Sequence, residues 1–225
     1  MQKNMRDIKT LAFVLRRTNY GEADRILKLI TPNGKISAIA KGVRKEKSKL
    51  AGGVEMFSKV ELNIHQGKSE FGVITSARML KYYDKLLVDL KKLELAAMVL
   101  KKVSLAAESS DSPEYFKLVE QSLMGLNDGI DICLVESWFL INLKKVMGEE
   151  INVYRDEKGQ KLAAGQRYSW DGMELAFVAA ENGQFGVDEI KMLRLILTTE
   201  LNVVARVKNY ETVMPGVSLL AKMIS

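Results

Sequence analysis

A chain of 225 residues, 47% hydrophobic and 28% charged, has a globular composition and is long enough to bury a core without disulfides or metal. Its single cysteine, Cys133, excludes an intramolecular disulfide and suits a reducing compartment. The net charge of +6 is uneven: residues 1–80 hold 16 Lys and Arg against 7 Asp and Glu, while the rest hold 18 against 21. That asymmetry points to a polyanion-binding module on a scaffold of different character.

The first apolar run, Leu11 to Leu15, is too short for a secretory segment and is followed directly by arginines. No later run is long enough to span a bilayer, so a cytoplasmic protein without a membrane partner is expected. In the same stretch Leu11, Phe13 and Leu15 alternate with Ala12, Val14 and Arg16, the period-two signature of a strand. A second run, Arg25 to Thr31, leads into Pro32-Asn33-Gly34 and returns as Lys35 to Lys41. Asn-Gly at that point predicts a hairpin whose central turn positions have positive φ. Val54 to Ile64, a turn at Gln66-Gly67-Lys68, and Glu70 to Thr75 complete five short strands. Five strands in about eighty residues suggest a small barrel, because closure removes exposed sheet edges.

Beyond residue 80 the period changes. Leu86, Leu87, Leu90, Leu93, Ala97, Leu100 and Val103 mark an amphipathic helix or helix pair. Ser112-Pro113-Glu114 reads as a helix start, with that helix ending near Asn127 to Gly129. Another helix is expected over Ile130 to Met147, closed by Gly148 in a left-handed cap. Further helices are expected over Asp188 to Val204 and Val217 to Ile224. Between them, 151–186 is an irregular glycine-rich insertion containing Tyr154, Tyr168, Trp170, Phe177 and Phe185. The expected organisation is α+β: a five-stranded OB-fold barrel over 1–80, then a mainly helical domain over 81–225.

The densest feature is Lys41 to Lys49, in which Lys41, Arg44, Lys45, Lys47 and Lys49 are basic, followed by Gly52-Gly53. Loops at the rim of an OB barrel grip single strands, their cations neutralising phosphates and releasing counterions. Arg16, Arg17, Arg25, Lys28 and Lys35 extend the positive face across neighbouring strands. Tyr20 is the better stacking candidate, since Phe13 and Phe57 sit in apolar strand patterns and read as core. Signals for catalysis are absent: there is no phosphate-cradling glycine loop and no dinucleotide fingerprint. One histidine, His65, and one cysteine cannot supply a tetrahedral zinc site without carboxylates. His65 reads as a surface residue at a strand end, and Cys133 as a small buried filler on the apolar stripe shared by Val135, Phe139 and Leu143. No catalytic residue and no cofactor are expected.

Three stretches carry a family resemblance: Ala12 to Arg25, Thr31 to Arg44, and Lys47 to Ala51. In order and spacing they resemble the opening of the bacterial recombination mediators of the RecO family. The resemblance implies an OB-fold that binds single- and double-stranded DNA, anneals complementary strands and helps load the recombinase. It also implies RecR and single-stranded-DNA-binding protein as partners, in the nucleoid. Lys35, Lys41, Arg44, Lys47 and Lys49 lie within the matching stretches; Lys45 is added from the same loop. Many relatives carry a four-cysteine zinc module in the C-terminal half, and this chain has no cysteine over 151–186, so no zinc is expected there. The competing reading is an OB-fold module that binds structured RNA.

Overall fold

A computed structural model describes residues 6–67 and 69–225. Lys68, in the turn anticipated at 66–68, lies outside the described residues. Compactness divides the chain at the end of the second helix, into one unit up to Asn127 and another over Asp128–Ser225.

The first unit opens with five strands: β1 (Arg6–Tyr20), β2 (Asp24–Thr31), β3 (Gly34–Ala40), β4 (Ser58–Gln66) and β5 (Gly72–Tyr82). They close into a barrel of order β1-β2-β3-β5-β4, all neighbours antiparallel except β3 and β5, the order of an OB-fold. Ala12, Val14, Leu27, Leu29, Ala38, Ala40, Val60, Leu62, Ile64 and Ile74 fill its interior. Alanine at three of these places suits a barrel too narrow for a large side chain in every layer.

β1 departs from simple alternation. A bulge between Val14 and Arg16 shifts its register on β2, and Phe13 and Leu15, on the face away from the barrel interior, are also buried. Helices cover that face: α1 (Leu90–Ser109) and α2 (Glu114–Asp128). The Phe13 ring lies 5.0 Å from Phe116 and 6.4 Å from Tyr83. Asp89 caps α1 by accepting the amides of Lys91 and Lys92, and Ser112 Oγ accepts the Glu114 amide at the start of α2, where Ser-Pro-Glu placed it.

Several local expectations are corrected. The chain from Val54 to Phe57 is not strand: a 3-10 turn occupies Ala51–Gly53, and Phe57, half-buried rather than core, takes φ +58° just before β4. At the β2–β3 turn only Gly34 has positive φ, +102°. Thr31 pairs with Gly34, so Pro32 and Asn33 are the central residues, with proline and glycine in their type I positions. α1 begins at Leu90, after a 3-10 turn at Asp84–Leu86, and its buried stripe is Leu95, Ala96, Val99, Leu100, Val103, Ala106 and Ala107. Leu87, Leu90 and Ala97 of the anticipated stripe are exposed.

The second unit contains α3 (Ile132–Val146), β6 (Tyr168–Asp171), β7 (Ala176–Ala179), α4 (Val187–Thr198), α5 (Leu201–Val204) and α6 (Met214–Met223). Gly148 closes α3 at φ +85°. Thr199 is extended and breaks the anticipated single helix into α4 and α5. α6 starts before Val217 because Pro215 suits a first helical turn. Asn142 of α3 donates to the carbonyls of Trp138 at 2.9 Å and Ile196 at 3.1 Å. Cys133 is exposed, not buried: it lies in the first turn of α3, whose buried face begins with Leu134 and Val135. In the glycine-rich segment β6 and β7 form a hairpin. The Phe177 ring contacts Tyr168 at 6.4 Å, Trp170 at 5.1 Å and Phe185 at 5.4 Å, edge to face.

Candidate nucleic-acid interface

The basic loop between β3 and β4 is amphipathic. Val43 and Val54 are buried with the barrel core, and Leu50 and Met56 pack against it. Lys41, Arg44, Lys45, Lys47 and Lys49 face outward and are all exposed. Gly53 fastens the end of the loop: a Cβ there would come within 2.6 Å of Ala77 in β5. Its beginning is tied to the β1–β2 turn, where Gly42 donates its amide to Asp24 Oδ1 at 2.7 Å and Arg44 its amide to Ala23 O at 2.9 Å. The cations therefore project from an anchored segment.

Ion pairing sorts the basic residues of this unit. Lys9 and Arg78 share Glu61, at 3.3 and 3.2 Å, and Lys59 pairs with Glu120 at 2.5 Å. Arg17 pairs with Glu55 at 2.6 Å, and Lys28 with Glu108. Among the described residues none of the five loop cations has an acidic partner, nor have Arg16, Arg25 or Lys35. Five cations without an acidic partner thus stand together on one loop; Lys81, Lys85, Lys91, Lys92, Lys101, Lys102 and Lys117 of the same unit also lack one among the described residues.

The anticipated site residues fall into two groups. Arg25 belongs with the loop: it stands opposite Ala40, next to Lys41, and its Nε donates to Asn19 Oδ1 at 3.3 Å. Tyr20, the last residue of β1 beside the adjoining turn, is 54% exposed and free to stack. Gly72 pairs with Ala38, so β5 also begins beside the end of β3. The turn before β2, the loop after β3 and the approach to β5 therefore converge on one rim. Arg16, Lys28 and Lys35 form a second group, with Arg16 opposite Lys28 in the β1–β2 register. Arg17 joins neither, because the bulge turns it to the row opposite buried Leu27, where Glu55 holds it. Glu108 and Asp111, which reach the second group, were not anticipated; at about eighty residues' separation the sequence carries no signal for them.

Residues 5–83 match the family model described as Recombination protein O N terminal, a span that ends with buried Tyr83. Over 223 aligned residues the chain is 31% identical to the DNA repair protein RecO of Dehalococcoides mccartyi strain CBDB1, covering 90% of this chain and 83% of that one. The chain belongs to the RecO family. The family resemblance read from the three N-terminal stretches therefore holds, and so does the OB-fold followed by helices. Shorter matches join the RecO proteins of Desulfitobacterium hafniense strain Y51, at 33% over 69% of this chain and 55% of that one, and Alkaliphilus metalliredigens strain QYMF, at 39% over 52% and 48%. The RecO likeness runs past the barrel into the helical unit. Residues 151–186 contain neither cysteine nor histidine, and no group of three or more His, Cys, Asp or Glu converges among the described residues. No described helix is long and apolar enough to cross a membrane.

Proposed function

We propose that this RecO-family chain is a non-enzymatic DNA-binding recombination mediator. Residues 1–80 bind single- and double-stranded DNA, chiefly through Lys41, Arg44, Lys45, Lys47 and Lys49, with Arg25 beside them and Tyr20 stacking on a base. Arg16 and Lys35 extend the contact. Arg17, engaged by Glu55, steadies the loop end more than it meets phosphate. Bound cations screen the repulsion between two backbones until base pairing takes over, so complementary strands anneal. RecR and single-stranded-DNA-binding protein are the partners with which the recombinase is loaded.

The observation that carries this reading is the row of five unpaired, exposed cations on an anchored loop at an OB-barrel rim. Phosphate neutralisation of this kind is independent of sequence and falls steeply with salt. The test is the annealing rate of two complementary oligonucleotides with wild type and with Lys41, Arg44, Lys47 and Lys49 changed to Ala. Acceleration by wild type that is lost in the folded variant is expected. No acceleration over the protein-free rate at low salt refutes the reading, and a strong preference for RNA competitor without annealing favours the RNA-binding alternative.

A further inference from the structure

Glu108, in the last turn of α1, reaches the barrel and pairs with Lys28. Lys28 stands between Arg16 on β1 and Ser37 on β3. Three residues beyond Glu108, Asp111 Oδ1 accepts the Lys35 amide at 3.0 Å. The end of α1 thus lays two carboxylates on a barrel face that carries Arg16, Lys28 and Lys35. Between β1 and α1 lies a groove of about 340 Å³, lined at its rim by Arg16, Lys101 and Glu108 and deeper by Leu15 and Leu100.

Carboxylate and phosphodiester oxygens are rival ligands for the same cations. A carboxylate on the same chain has a high effective concentration at its partner. An exposed ion pair is nevertheless weak, and Lys28 and Glu108 are both solvent-accessible, at 33% and 47%. A backbone bearing several phosphates can therefore displace it. The direction of the Glu108 equilibrium agrees: the hydrogen bond and charge of Lys28, then the charges of Lys35 and Arg16, hold its carboxyl below the ordinary carboxylate range.

We propose that Glu108 is a tethered rival of DNA phosphate, occupying Lys28 beside Arg16 and Lys35 so that this second basic track admits a phosphodiester backbone only when the carboxylate swings away. The proposal rests on the DNA-binding reading above and divides its site in two. The loop cations, having no internal rival, hold one strand. The guarded track holds another more loosely and releases it as pairing proceeds.

The test compares wild type, Glu108→Gln and Glu94→Gln, the last removing an exposed acid from the other end of α1 for the same change in net charge. Two quantities are read: affinity for a labelled oligo-dT across a salt series, and the salt that elutes each protein from heparin. Glu108→Gln should bind about fivefold tighter than Glu94→Gln, with a salt slope steeper by about 0.7 for each additional phosphate that the freed cations neutralise. Lys28→Gln should abolish that advantage in the Glu108→Gln background while costing the wild type little. Equal behaviour of the two Glu variants, or an equal cost of Lys28→Gln in both backgrounds, overturns the proposal. If no variant binds the oligonucleotide but Glu108→Gln alone is retained longer on heparin, the rival role stands and the DNA reading fails. Intact DNA binding with matched Glu variants removes the rival role alone, and a protein that binds neither polyanion overturns both.

Discussion

Changing Lys41, Arg44, Lys45, Lys47 and Lys49 to Gln removes five charges while leaving untouched Val43 and Val54, the side chains that anchor the loop to the core. None of the five is engaged by an acid among the described residues, so each is free to meet a phosphate. Each phosphate neutralised on single-stranded DNA adds about 0.7 to the slope of log affinity against log salt, so losing five should flatten the slope by about 3.5. Across the step from about 50 to about 200 mM salt, this removes about 100-fold of the wild type's salt-driven loss of affinity. Anisotropy of a labelled oligo-dT over that range measures it, with circular dichroism and thermal unfolding to verify the fold. The control changes Lys158, Lys161, Lys191, Lys208 and Lys222 to Gln: the same charge loss, at exposed positions in the second unit. If both variants flatten the slope equally, net charge and not the loop governs binding, and the reasoning fails.

Three predictions concern the frame that holds the site. Phe13→Ala should lower stability by about 3–5 kcal/mol in urea unfolding, because the ring is 1% exposed and wedged against Phe116 and Tyr83; a loss below about 1 kcal/mol would mean that the helices do not pack on β1 as described. Gly34→Ala should destabilise by at least about 1 kcal/mol, since φ is +102° and the new Cβ would lie 2.3 Å from Asp111 Oδ1. Adding Asp111→Ala should recover only part of that loss, because the backbone strain remains; full recovery would contradict the positive φ. Glu108 has a folded-state pKa below its unfolded value, so its contribution to stability is present above the unfolded value and is lost as pH falls through the folded one. The difference in unfolding temperature between wild type and Glu108→Gln should shrink toward zero as the pH drops below about 4, and a difference constant from neutral to acid pH would refute the pairing.

Much of the barrel was legible because its signals are local. Alternation marked β1, the Pro-Asn-Gly turn joined β2 to β3, and Ser-Pro-Glu opened α2. Phe13 is core, as its strand pattern indicated, but it lies under the helices and not in the barrel interior. The errors fell where a neighbour in space overrides a local pattern. Leu90 and Ala97 are exposed because α1 presents a different stripe to that surface. The bulge after Val14 could not be foreseen from spacing, yet it sets Arg16 opposite Lys28 with no acidic partner and leaves Arg17 to Glu55.

By itself the sequence determined the element types, the basic character of the first eighty residues and the three stretches that mark the RecO family. These depend on residue order over a few positions, and order is all that a local pattern requires. Only the tertiary structure decided which cations are available. Arg17 meets Glu55 and Lys28 meets Glu108 across 38 and 80 residues, while the cationic side chains of the Lys41 to Lys49 loop pair with no acid among the described residues. Coulomb attraction acts through distance in space, and distance in space is set by how the chain closes, not by its spacing.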